Sequence, residues 1–185
     1  MKRLIAIVIS ALIFAVSVTA QNANRKGFFA EIGVGASVGN MPVHEVVQNN
    51  VFKSGGAALN GAVGYRIATS VKCAFDAKLL VGTTTKGSST TLVVGPLVGF
   101  RYFFYEFAGN KSLFVGGNIG TVYNDNFGSF GGAYQLLAGV NITNHLYGAL
   151  AYDGYIFCHS LDLGNYHFRS SSCWGSIGLK IGYRF

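Results

Sequence analysis

The residues able to do chemistry fall into three groups. The first is a set of charges, Glu31, Arg66, Lys72, Asp76, Lys78, Arg101, Asp153, Lys180 and Arg184, each lying in a stretch of alternating apolar and small or polar residues. The second is three cysteines, Cys73, Cys158 and Cys173. The third is made of histidines with carboxylates nearby: His44 and Glu45 in one connecting segment, and His159, Asp162 and His167 in another. Interspersed cations and carboxylates suit a buried ion-pair network or a narrow anion path. Paired thiols suit a disulfide in an oxidising compartment, and histidines with acids suit a metal or hydrolytic centre. No spacing within the third group is diagnostic of either, so the elements that hold these residues must be found first.

Apolar residues recur with a period of two, the signature of strands. Eight such stretches are predicted: 27–39, 55–67, 71–82, 90–104, 112–123, 129–142, 145–157 and 172–185. The third alternates most sharply, setting Cys73, Phe75, Ala77, Leu79 and Val81 against Lys72, Ala74, Asp76, Lys78 and Leu80. Pro96 falls inside the fourth and predicts a bulge or local break, because proline cannot donate to a ladder. Across the eight stretches all charges share the parity opposite to the large apolar residues. The connections alternate in length. Residues 68–70, 106–111 and 143–144 are short, while 40–54, 83–89, 124–128 and 158–171 are longer or more variable.

Half of the chain is hydrophobic and only 11% is charged, with 26 glycines, 15 phenylalanines and 10 tyrosines. That balance does not suit a soluble protein; it suits a membrane barrel whose strands carry an apolar outer face and a small or polar inner one. An Arg or Lys facing lipid at mid-depth costs about 2–4 kcal/mol, which explains the segregation of charge. Met1-Lys2-Arg3, the apolar run from Leu4 to Val18, and Val18-Thr19-Ala20 read as an export signal over 1–20, cut before Gln21, leaving 21–185 as the barrel domain. The net charge of +7 includes Lys2 and Arg3 and forms no basic stripe, so nucleic acid is not expected as a partner.

The final stretch, Ser172 to Phe185, keeps an apolar parity to the last residue, with aromatics at Tyr183 and Phe185. This ending resembles the C-terminal signal of bacterial outer-membrane β-barrels, and the architecture as a whole resembles the small eight-stranded barrels of the OmpX and OmpA-transmembrane-domain type. The resemblance implies an all-β, antiparallel, up-and-down transmembrane barrel in the outer membrane of a Gram-negative bacterium, with both mature termini periplasmic. It implies that Tyr183 and Phe185 are read by the barrel-assembly machinery, and that lipid and lipopolysaccharide surround the folded chain. Tyr65, Phe100, Tyr102, Phe104, Tyr183 and Phe185 are then expected to form the periplasmic aromatic girdle, and Tyr123, Phe130 and Tyr152 the outer one.

Eight strands enclose an interior just wide enough to be filled by side chains. Glu31, Arg66, Lys72, Asp76, Lys78, Arg101, Lys180 and Arg184 are therefore predicted to form a lumenal ion-pair plug, with Glu31 beside Arg66 and beside Lys180 or Arg184. Cys158 and Cys173, at the ends of the last two strands and of one parity, are predicted to form a disulfide; Cys73 would remain a lipid-facing thiol. The function expected is non-enzymatic and without a cofactor or metal, exercised through the extracellular loops in surface contact, envelope integrity or an outer-membrane complex. The alternatives are a narrow anion-selective pore, or an enzyme resembling the lipid A palmitoyltransferases and deacylases, which use His with Ser or an acid near the outer surface.

Overall fold

In the computed structural model, residues 27–39, 56–68, 72–86, 89–107, 111–126, 128–163 and 166–185 are described. The predicted export signal, its site of cleavage, and residues 40–54 with His44 and Glu45 lie outside them. Eight strands follow in order: β1 (Gly27–Gly39), β2 (Gly56–Ala68), β3 (Cys73–Lys86), β4 (Ser89–Phe107), β5 (Lys111–Asn124), β6 (Ser129–Asn141), β7 (Leu146–Leu163) and β8 (Tyr166–Arg184). Each pairs antiparallel with the next, and β8 returns to β1 to close the barrel. At about 3.3 Å per residue, even a 13-residue strand tilted by about 40° reaches roughly 30 Å in height, the thickness of a hydrocarbon core.

Alternation decides which side each residue takes. Ile119, Leu179 and Phe130 are 67%, 66% and 75% exposed on the outside, whereas Asp76 and Arg101 are fully buried inside. Ile32 and Phe75 also face out, opposite in sense to a water-soluble fold. The girdle residues Tyr65, Phe100, Tyr102, Phe104, Tyr123, Phe130 and Tyr183 are exposed; Phe185 and Tyr152 are partly so. Two glycines permit close approach. At Gly27 (φ 134°) a side chain would press on the Phe185 carbonyl, where the terminal residue docks on β1. At Gly82 a Cβ would lie 2.9 Å from the Tyr155 hydroxyl, which reaches it across the lumen from β7.

Two expectations about the strands are corrected, and a third is met in one of its two forms. Residues 83–89 and 158–171 are not free loops: β3 pairs with β4 as far as Lys86↔Ser89, and β7 with β8 as far as Leu163↔Tyr166. Hydrophobic alternation fades where lipid no longer demands it, although backbone pairing continues. The last hairpin therefore outruns its neighbours, because β6 leaves β7 at Gly132↔Ile156 and β1 leaves β8 at Gly39↔Trp174. At Pro96 the expected local break in the ladder is present, and the alternative, a bulge, is not. The β4–β5 pairs stop at Val94↔Tyr123 and resume at Leu97↔Gly120 with unchanged offset, and the register shift falls instead between Phe103 and Tyr105.

The predicted Cys158–Cys173 bond is also corrected: none of Cys73, Cys158 and Cys173 is in a disulfide. Cys158 stands opposite Ser171 and Cys173 opposite Ile156, so the two thiols are diagonal neighbours. Diagonal positions lie about 7–8 Å apart, beyond the reach of a disulfide without backbone movement.

Replacing lipid-facing Leu179 by Arg is expected to destabilise the barrel by about 2–4 kcal/mol. Urea unfolding from liposomes, followed by the loss of heat-modifiable gel mobility, checks this; Thr143→Arg in the exposed β6–β7 turn is the control, with less than about 0.5 kcal/mol expected.

Candidate functional site

Inward parity brings polar side chains from all eight strands into one connected network. Arg66 of β2 and Asp76 of β3 are register partners and form a two-pronged ion pair, with Nε–Oδ1 at 2.6 Å and Nη2–Oδ2 at 3.2 Å. Arg101 of β4 bridges the two nearest carboxylates, donating from Nε to Asp76 at 2.7 Å and from Nη2 to Glu31 of β1 at 2.5 Å. Tyr147 of β7 donates to Glu31 at 2.6 Å, and Lys78 Nζ meets the other Glu31 oxygen at 2.9 Å.

From Lys78 the network climbs. Its ammonium donates to Gln135 Oε1 of β6 at 2.5 Å, which also accepts from Asn118 of β5 at 3.0 Å. Gln135 Nε2 donates to Asp153 of β7. Asp153 also takes Lys180 of β8 at 2.9 Å and Asn60 of β2 at 2.7 Å, and Asn60 donates on to Ser176 at 3.1 Å. These residues are buried to within a few per cent, so each charge depends on its partners in place of water.

Two apolar clusters share the lumen with this network. One contains Phe103, Phe114, Leu137 and Tyr147; the other contains Leu80, Leu97, Val122, Tyr155, Phe157 and Trp174. Phe157 stacks on Trp174 with centroids 5.0 Å apart. Arg101 is held between rings, 4.6 Å from the Tyr147 centroid and 4.9 Å from that of Phe114, an arrangement that favours a desolvated guanidinium.

The structure thus brings together Glu31, Arg66, Asp76, Lys78 and Arg101, and joins Lys180 to them through Asp153 and Gln135. Of the neighbours expected for Glu31, Lys180 lies near enough to act on its charge, whereas Arg66 pairs with Asp76 instead. Its register partners are Ala62 and Gly182, and its ion-pair partners come from β3 and β4. Tilted strands are staggered in a closed barrel, so side chains at one height are not those adjacent in the ladder. Lys72 lies one residue before β3 and is exposed. Arg184 sits at the rim, where its guanidinium donates to the Asn144 carbonyl and its own carbonyl meets Nδ1 of His145 at 2.8 Å. Asp153 stood among the inward charges but was left out of the predicted plug, and sequence reasoning missed Asn60, Asn118, Gln135, Tyr147 and Ser176 as members, although their inward parity was the available signal.

Tyr183, whose register partners are Ala30 and Leu146, stacks on His145 with centroids 5.8 Å apart, and the Phe185 amide donates to the Phe28 carbonyl at 2.9 Å. Of the loop candidates, the backbone register sets Asp162 opposite His167 and His159 opposite Ser170; the side chains of these four lie outside the described ones. Among the described residues no group of three or more His, Cys, Asp or Glu is placed to hold a metal.

Arg101→Met would strand Glu31 and Asp76 and is expected to cost about 3–5 kcal/mol. In the triple variant Arg101→Met/Glu31→Gln/Asp76→Asn, much of that loss should be recovered, because no unpaired carboxylate remains buried. Urea titration of all the variants in lipid vesicles measures the difference.

No protein-family model matches the chain, and no curated protein does. Solved structures do resemble it. Neisserial surface protein A shares 14% identity at a TM-score of 0.51, covering 86% of this chain and 97% of that one. The outer membrane enzyme PagL shares 12% identity at a TM-score of 0.60, covering 85% of this chain and 99% of that one. The closed antiparallel sheet, apolar without and polar within, is the fold of the small eight-stranded outer-membrane β-barrels.

Proposed function

We propose that the chain is an integral outer-membrane barrel whose filled lumen is a structural plug, and that its function is exercised from the end formed by the β3–β4 and β7–β8 hairpins, outside the cell. Both termini and the short β2–β3, β4–β5 and β6–β7 connections then lie on the periplasmic side. The observation that carries this reading is the network spanning all eight strands, buried in the lumen together with two apolar clusters. A transport path would have to break ion pairs and push both apolar clusters aside. The barrel wall and lumen are on this reading non-enzymatic, and the exposed hairpins serve surface contact, envelope integrity or assembly into an outer-membrane complex. Lipid, lipopolysaccharide and, during insertion, the barrel-assembly machinery acting on Tyr183 and Phe185 are its partners.

The fold is shared by a surface protein and by an enzyme, so fold alone does not choose between those roles. The test is topological. In a background with Cys73, Cys158 and Cys173 replaced by Ser, Asp125→Cys in the exposed β5–β6 turn is expected to react with a membrane-impermeant maleimide on intact cells. Lys111→Cys, at the opposite rim, should react only after the outer membrane is permeabilised; the reverse pattern would overturn the orientation. In planar bilayers the wild-type protein is expected to show no stepwise conductance, and regular anion-selective steps would favour the pore instead.

A further inference from the structure

Cys158 and Cys173 stand at the neck of the β7–β8 hairpin, where it leaves the rest of the wall. Both thiols are free and exposed, and both share the outward parity of Ile156, the register partner of Cys173. Ile156 is also the last residue of β7 paired with β6, and Trp174, next to Cys173, is the last of β8 paired with β1. The two thiols therefore sit side by side on one face, at the upper limit of the closed sheet.

Their spacing excludes one chemistry and suits another. Diagonal Cα atoms lie about 7–8 Å apart, whereas a disulfide needs about 4.4–6.8 Å. Side chains turned toward each other bring the sulfurs to about 4–5 Å, the span of two metal–thiolate bonds of about 2.3 Å laid end to end. The gap that defeats an S–S bond is one that a single ion can bridge.

The donor set selects the ion. Two thiolates with no third His, Cys, Asp or Glu in reach among the described residues fall short of the four ligands of structural zinc. They offer nothing to the hard cations that require oxygen. Soft thiolate ligands favour Cu(I), a closed-shell ion satisfied by two donors in line. Ile156, beside Cys173, adds an apolar wall, and the Tyr152 hydroxyl near Cys173 is a hard oxygen that competes poorly for a soft ion.

We propose that Cys158 and Cys173 form a two-coordinate thiolate site for Cu(I) on the outer face of the barrel. On binding, each thiol gives its proton to water and each sulfur forms one bond to copper. The ion enters and remains as Cu(I), so no electron is exchanged. The site goes beyond the structural plug and does not depend on which side of the membrane the hairpin meets.

The full chain in detergent micelles is titrated with Cu(I), held reduced by ascorbate, in competition with the chelator bathocuproine disulfonate. Ag(I) serves as a redox-inert second probe. The expected result is a single copper per chain, with an ultraviolet thiolate-to-copper band. Cys158→Ser and Cys173→Ser should each weaken binding about 100-fold or more, while Cys73→Ser should stay within about twofold of wild type. Each variant is scored only on the fraction with heat-modifiable mobility, so misfolding does not pass for loss of the site. Failure of the wild type to retain copper against the chelator, undiminished binding in either single variant, or one copper shared between two chains would each overturn the proposal. So would prompt closure of a Cys158–Cys173 disulfide by diamide, which would show the sulfurs closer than the site requires. The maleimide pattern at Asp125→Cys reports separately on orientation, so failure of the copper site and failure of the outer-membrane reading give different results.

Discussion

Charges withdrawn from water must find one another, and in this barrel that requirement ties all eight strands together. Arg101 is the centre of it. Its Nε and Nη2 donors hold Asp76 and Glu31, its guanidinium lies between Tyr147 and Phe114, and the two carboxylates pass the linkage on to Arg66 and Lys78. From there Gln135 and Asp153 carry it to Lys180 on the last strand. A soluble protein would place such groups outside and its Ile, Leu and Phe within. Here lipid occupies the outside, so the polar side chains have only the lumen in which to be satisfied.

This arrangement fills the interior with mutually dependent side chains. Buried pairs resist rearrangement because parting them leaves a desolvated charge, and the Phe157–Trp174 stack and the Phe114–Tyr147 contact share the lumen with them. On the proposed reading, function is left to the surfaces that lipid does not constrain. The β7–β8 hairpin is the clearest of these. Its backbone ladder continues for seven pairs past the last contact with β6. At its neck the outward positions are taken by the thiols of Cys158 and Cys173, where the wall below carries Leu150, Ile156, Ile177 and Leu179.

Much of the wall was legible from residues alone, and the exceptions share a cause. Ile32, Phe75 and Leu179 face out and Asp76 and Arg101 face in, as the alternation of period two requires. Strand ends were less legible: β3, β4, β7 and β8 extend past the last lipid-facing residue, where apolar alternation stops but hydrogen bonding does not. Pro96 was legible as a break in the ladder, because a missing N–H is a local property; that the β4–β5 offset is the same on both sides of the gap was not.

What the sequence determined by itself was a set of parities: which residue of each strand meets lipid and which meets the lumen. Parity is local, since one residue's side follows from its neighbour's. Only the closed barrel decided who meets whom. Glu31 found Lys78 and Arg101 instead of Arg66, Asp153 came to join Gln135 to Lys180, and Cys158 missed Cys173 by two residues. Those pairings depend on the stagger accumulated around eight tilted strands, a global quantity that no single stretch of alternating residues contains.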